Sequence, residues 1–178
     1  MTHESYVLPE GFGFVNRSRG RTITEGDFSA MTNLTWTFEE IHTDRIAIME
    51  ERGHERMLAG GCVLAFALGL ATPAIRQPVV ERGMRLIALL GYDNVRFVSP
   101  LHPGDTIYVE SSLAGVLKTS RPERGVIQFD DTLVDHTGRR MMTYRRSALC
   151  DVSGSILFVP HAAKRLDAVD GSAGRIGG

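Results

Sequence analysis

Apolar residues recur every three positions at Phe28, Met31 and Leu34, the spacing that one face of a helix requires. Just upstream, Thr24 is followed three residues later by Asp27. In that capping-box pattern two side chains satisfy the free amides of a first turn, so a helix is predicted from there towards Leu34. Residues 1–10 read as a loose lead-in and residues 12–15 as a short strand. Residues 36–42 break the helical period and read as an ordered connection. Thr43 begins a second helical stretch that offers Ile46, Ile48 and Met49 for burial, and Arg52-Gly53-His54-Glu55 is a polar loop.

Residues 56–72 are apolar all round, which predicts a helix buried on every side. The segment opens on small residues, Ala59, Gly60, Gly61 and Cys62. Each glycine weakens a helix by about 1 kcal/mol relative to alanine but allows backbone or ligand to come close. Pro73 is expected to end the helix. The nearly apolar run 57–71 falls short of the roughly 20 residues a membrane span needs, so a buried core helix is the better reading. Residues 74–91 fit helix or strand, with helix preferred.

After Gly91 the pattern changes to strands. Residues 94–98 form one, Pro103-Gly104-Asp105 is turn chemistry, and residues 107–116 form another with Val109, Ser111 and Leu113 on one face. A connection at 121–125 leads to strands at 126–134 and 141–152, joined by the hairpin loop Asp135-His136-Thr137-Gly138. Helices followed by antiparallel strands predict an α+β fold in which the sheet wraps around one buried helix. Neither a repeat nor an interdomain linker is visible. A single domain is expected over residues 1–163, with 164–178, rich in Gly, Ala and Asp, as a flexible tail.

Composition narrows the function classes. The chain has 178 residues, 43% hydrophobic and 23% charged, with a net charge of −1. No bulk field draws it to nucleic acid or an anionic membrane, and no Lys/Arg stripe with interleaved aromatics appears. Cys62 and Cys150 both lie in apolar runs and read as reduced core thiols, with no disulfide framework. The first ten residues lack the charged-then-apolar pattern of a signal peptide, and a cytoplasmic location is expected. His54, His102, His136 and His161 show no metal-ligand spacing and read as surface residues.

Five pieces of the sequence, taken in order, resemble the MaoC-like dehydratases, a group that includes the R-specific enoyl-CoA hydratases. They are Arg21-Thr22-Ile23-Thr24-Glu25, Ile41-His42-Thr43-Asp44, residues 56–70, Asp93-Asn94-Val95-Arg96-Phe97 and Pro103-Gly104-Asp105-Thr106. The resemblance covers about residues 11–150. It implies a hot-dog fold, a homodimer or higher homo-oligomer, and a thioester substrate carried on CoA or an acyl carrier protein. It also implies syn addition of water to a trans-2-enoyl thioester, or the reverse, with no cofactor beyond the CoA of the substrate. The family motif of an Asp, four residues, then a His reads here as Thr37 and His42, with Glu39-Glu40 where the family has Asn-Pro. The family's His-Gly pair at the start of the central helix reads as Ala59-Gly60.

The chemistry of hydration needs a base for water and donors for the thioester oxygen as an enolate forms. Histidine as a residue type suits the first, and the amides of a helix N-terminus suit the second. His42 is therefore expected as base and the Gly60 amide as oxyanion donor, with Gly61 and Ala59 beside it. Thr37 can hydrogen-bond the water, and Glu39 or Glu40 can supply a carboxylate by turning inward. Trp36 reads as an aromatic wall for core or acyl chain. Arg96 is either paired inside the sheet or faces a CoA phosphate. Two other functions fit the same architecture: an acyl-CoA thioesterase, and a catalytically silent acyl-CoA binder.

Overall fold

The computed structural model describes residues 4–158, and within them Thr24 caps a helix as its spacing predicts. Its hydroxyl accepts from the Asp27 amide at 3.1 Å, and Asp27 Oδ2 accepts from the Thr24 amide at 3.0 Å. The bonds from Thr24 hold the Asp27 carboxyl below the usual carboxylate range. Two short strands, β1 (Val15–Arg17) and β2 (Arg21–Thr22), precede this helix, α1 (Glu25–Thr35). Next come α2 (Glu40–Thr43), α3 (Arg45–Arg52) and the long helix α4 (Gly60–Glu81). Four long strands complete the chain: β3 (Arg85–Phe97), β4 (Thr106–Lys118), β5 (Arg124–Asp135) and β6 (Arg140–Asp151).

The strands form one antiparallel sheet in the order β1-β4-β5-β6-β3, with β2 also paired to β4. Val63, Ala67, Ala71, Ile75 and Val79 of α4 are all buried. They lie four residues apart, so they make one continuous row along the helix. The first half of the row packs with Ile107, Val109, Leu133 and Met142 of the sheet. The second half packs with Val116, Ile127, Phe129 and Cys150. The sheet thus wraps one side of the helix, and the fold is the expected α+β hot-dog arrangement. By length and composition alone α4 could cross a membrane; its buried row lies against the sheet.

Several expectations need correction. The helix does not stop at Pro73: Pro73 and Pro78 both lie inside it. A proline removes the bond to the carbonyl four residues back and crowds it. At Pro73 that residue is Gly69, which is exposed and has no side chain. At Pro78 it is Ala74, whose carbonyl accepts from Asn16 Nδ2 at 2.6 Å. Nor is α4 buried on every side: Gly61, Ala65 and Gly69 are exposed on its outer face, where small residues present little apolar area. Residues 74–91 divide, with helix to Glu81 and strand from Arg85. Gly83, at φ +68°, makes the turn between them, and its Cα lies so close to Gly154 that a Cβ there would meet the Gly154 carbonyl oxygen at 2.0 Å.

The first strand is Val15–Arg17 and not residues 12–15, because Phe12 turns into the core. His42 lies in the short helix α2 and not in a connection. Of Ile46, Ile48 and Met49, which α3 offered for burial, only Ile48 is buried. Cys62 and Cys150 are both free and buried, and burial pushes the Cys150 thiol up to about 11. In β4, Ile107, Val109 and Ser111 are buried on one face, and a register shift after Leu113 carries Val116 to the same side. The expected C-terminal tail, 164–178, and His161 lie outside the described residues.

Candidate active site

Residues 56–58 form a strap that delivers the chain to the start of α4. The Met57 amide donates to the Ile41 carbonyl at 3.1 Å, and the Leu58 amide donates to the Leu101 carbonyl at 2.9 Å. Two histidine rings close on the strap's carbonyls. His102 Nδ1 lies 2.8 Å from the Arg56 oxygen, and His42 Nδ1 lies 2.6 Å from the Met57 oxygen. A carbonyl can only accept, so each Nδ1 carries the proton. The free nitrogen of the His42 ring is therefore Nε2, an acceptor in the neutral imidazole.

His42 lines a cavity of about 340 Å³ together with Met57, Leu58, Gly60, Phe97 and Ser99. Gly60 is the first residue of α4, and Ala59 is its N-cap, with no side-chain cap. The amides of Cys62 and Val63 both donate to the Ala59 carbonyl. The amides of Gly60 and Gly61 make no bond to any described residue. They sit where the partial positive charge of a 22-residue helix is greatest. A Cβ on Gly60 would lie 2.7 Å from the Phe97 ring, so glycine is what lets the helix end reach the cavity. Around Gly61 the space is open.

The structure thus brings His42 and Gly60 to one cavity and leaves the other candidates outside it. The Thr37 hydroxyl lies 3.1 Å from the Thr35 hydroxyl, and its amide bonds the Thr32 carbonyl at the end of α1. Glu39 and Glu40 are exposed to solvent. Trp36 is 80% exposed and adopts the left-handed conformation as the C-cap of α1, so it forms no core wall. The Arg96 guanidinium is exposed and donates to the neighbouring Val95 carbonyl, so it is not paired inside the sheet. His54 and His102 are half-buried with their rings bonded to backbone carbonyls, in contrast to the surface role expected for them; His136 is exposed. No cluster of three or more metal-ligating side chains occurs among the described residues.

A family model described as MaoC like domain matches residues 14–133. The chain belongs to the MaoC-like dehydratase family. It is 37% identical over 89 residues to Protein MaoC of Klebsiella aerogenes, a match covering 50% of this chain and 24% of that protein. The match therefore spans about a quarter of that relative's length. A solved structure named monoamine oxidase regulatory protein, from Archaeoglobus fulgidus, superposes with a TM-score of 0.67 at 25% identity, over 83% of this chain and 95% of that one. A Mycobacterium tuberculosis protein described as a double hot-dog fold superposes with a TM-score of 0.66 at 22% identity, over 91% of this chain and 50% of that one. These likenesses agree with the wrapped sheet and central helix.

Two features of the site escape a sequence reading, and a buried pair elsewhere carried a signal that the reading missed. The Met57 carbonyl that orients His42 is backbone and leaves no residue-type signal. Ser99 and Phe97 reach the cavity only because β3 runs antiparallel to α4. Beneath the helix, Arg146 and Asp131 form a buried ion pair, with Arg146 Nε 3.0 Å from Asp131 Oδ2. Their alternation within β5 and β6 placed them on the inward face and could have flagged them.

Proposed function

We propose that the chain is a hydro-lyase acting on an acyl-CoA thioester, with His42 as base and the Gly60 amide as oxyanion donor. The observation that carries this is the Nδ1 bond of His42 to Met57, which leaves Nε2 as the basic nitrogen of a ring lining the same cavity as an uncapped helix N-terminus. Water gives a proton to Nε2 as its oxygen adds to C3 of a trans-2-enoyl thioester. The electron pair of the C2–C3 double bond moves to the thioester oxygen, where the Gly60 N–H meets the developing charge. The enolate then collapses, and the proton held on Nε2 passes to C2. A single imidazole serves both transfers on one face of the alkene, which gives syn addition. In this scheme no carboxylate is required, in keeping with Thr37 at the family's Asp position and with the exposure of Glu39 and Glu40. Thr37 contributes at most a hydrogen bond to the incoming water. Arg96, exposed at the end of β3 next to Phe97, is the candidate partner for a CoA phosphate.

A homodimer belongs to the same proposal. Strand β3 is an edge of the sheet, and Ile87, Leu89, Leu90 and Phe97 along it are exposed, as is Val98 just past its end. Pairing with a second copy covers both the unpaired backbone and this apolar surface. The test of the activity follows loss of the conjugated enoyl thioester absorbance on a panel of short, medium and branched trans-2-enoyl-CoAs. Loss without release of free CoA, abolished in His42→Ala, supports the hydro-lyase. Release of free thiol identifies a thioesterase instead. Tight acyl-CoA binding with no turnover identifies a silent binder.

A further inference from the structure

A second cavity of about 310 Å³ lies under the other half of α4, lined by Leu68, Thr72, Tyr92, Phe129, Arg146 and Ala148 among others. Strand register explains its composition. Tyr92 pairs with Arg146 across β3 and β6, and Arg146 pairs with Phe129 across β6 and β5, so the three stand in one row on the inward face. The neighbouring row holds Ser111, Asp131 and Tyr144. Arg146 and Asp131 meet diagonally between the rows, with side chains 4% and 0% exposed.

The polar groups here are short of partners. Besides the contact with Asp131 Oδ2, the Arg146 guanidinium reaches only Thr72 Oγ1 at 3.3 Å and Asp131 Oδ1 at 3.4 Å. A guanidinium has five N–H donors, so at least two face no protein acceptor. The Tyr92 hydroxyl is fully buried and also has no partner. Buried polar groups are nearly always paired, so a deficit beside a void is met by ordered water or by a ligand atom that displaces it. Its charge is defined too. Arg146 and Asp131 already neutralise each other, so an anion would add an uncompensated buried charge. A carbonyl or hydroxyl oxygen accepts the same N–H bonds without it. The remaining lining is apolar and suits hydrocarbon.

Both cavities lie along the seam between α4 and β3, which run in opposite directions. Gly60 and Phe97 are at one end, and Thr72 and Tyr92 lie towards the other. Twelve residues of helix separate Gly60 from Thr72, roughly 18 Å at 1.5 Å per residue. We infer that the Arg146 cavity receives the far end of an acyl chain whose thioester sits beside His42, and that this end carries a neutral oxygen acceptor. The inference rests on the thioester reading of the His42 site.

The experiment titrates the wild-type protein with saturated acyl-CoAs, which bind without hydration. A series of ω−1 oxo-acyl-CoAs of about twelve to eighteen carbons, the lengths that bracket the roughly 18 Å between the two sites, is compared with plain alkyl chains of equal length, and butyryl-CoA serves as a short control. One oxo member is expected to bind about tenfold tighter than its alkyl counterpart, the worth of one hydrogen bond to a charged donor. The preference shrinks in Tyr92→Phe and disappears in the double variant Asp131→Leu/Arg146→Met, which lacks the charged donor, while butyryl-CoA affinity stays unchanged; persistence of the full preference in the double variant overturns the inference. Equal affinity for oxo and alkyl chains at every length, with butyryl-CoA bound, overturns the inference and leaves the thioester reading standing. Failure of every acyl-CoA, butyryl-CoA included, overturns the thioester reading. In that case free 2-nonanone is added, and the absence of any shift in the Ala88 and Ala148 methyl resonances overturns the chamber as well.

Discussion

The ring of Phe97 occupies the space into which a side chain at Gly60 would grow, since a Cβ there meets Phe97 Cζ at 2.7 Å. Phe97 is 55% exposed, so its ring can swing aside at little cost. Gly60→Ala is therefore expected to change the melting temperature by no more than a few degrees. The displaced ring and the new methyl enter the His42 cavity, and kcat/KM on an enoyl-CoA is expected to fall at least tenfold. Phe97→Ala in the Gly60→Ala background should recover part of that loss. A large fall in stability with intact specific activity would contradict the assignment of Gly60 to the site.

The Met57 carbonyl fixes His42 and the same bond selects its basic nitrogen, so orientation and basicity can be separated by substitution. His42→Asn can keep a donor towards Met57 but has no basic nitrogen. Its unfolding midpoint in urea should match the wild type closely, while hydration falls by about 10²-fold or more. His42→Ala additionally leaves the half-buried carbonyl without its donor, at about 1 kcal/mol. The informative comparison is the stability difference between the two variants at equal loss of activity.

Asp131 and Arg146 form a pair whose removal depends on which partner is left behind. Burial raises the Asp131 carboxyl above its ordinary value, with the nearby Arg146 charge opposing that shift. Asp131→Asn leaves a guanidinium buried without a counter-charge, and about 3–5 kcal/mol of stability is expected to be lost. Replacing both, as Asp131→Leu with Arg146→Met, should recover most of it, because neither desolvated charge remains. Urea unfolding of Asp131→Leu, Arg146→Met and the double variant measures the coupling.

The parts of this architecture that rest on local chemistry were legible in the sequence. Thr24 and Asp27 announce a helix start because their partners are three residues apart. The hairpin between β5 and β6 is legible because Asp135, Thr137 and Gly138 are turn residues in place. The misread parts depend on residues distant in sequence. Pro73 and Pro78 read as helix breakers, and only the fold supplies the Asn16 donor that pairs Ala74. Residues 85–90 have no clean alternation because β3 carries register shifts at Leu86/Ala88 and Leu89/Gly91. At the site, His42 and Gly60 came from motif order, whereas the exposure of Trp36, Glu39 and Glu40 follows from where α1 ends and α2 begins.

The Asp135 loop predicts an acid-dependent stability term. Its carboxylate accepts from the Thr137 hydroxyl at 2.7 Å, the Thr137 amide at 2.8 Å, Arg139 Nε at 2.9 Å and the Arg139 amide at 3.0 Å. These bonds, the Thr137 hydroxyl first, hold the carboxyl well below the usual carboxylate range. A depressed acid stabilises the folded state above its unfolded pKa, about 3.9, and that contribution is lost as pH falls below it. Asp135→Asn should therefore be less stable than the wild type at pH 7, with the difference narrowing as pH drops from about 4. A difference independent of pH in urea unfolding would show that the carboxylate charge is not what the loop uses.

Asn16 is expected to matter only because of Pro78. The missing amide of Pro78 leaves the Ala74 carbonyl unpaired within α4, and Asn16 Nδ2 donates to it at 2.6 Å from strand β1. Asn16→Ala should cost about 1 kcal/mol, the penalty of a half-buried acceptor left open. Pro78→Ala restores an amide that can bond Ala74 along the helix. In that background Asn16→Ala should cost a few tenths of a kcal/mol. The double-mutant cycle, read by urea unfolding, therefore predicts a coupling of about 1 kcal/mol between Asn16 and Pro78. Strict additivity would mean that the carbonyl is satisfied by water and that α4 tolerates Pro78 without help from the sheet.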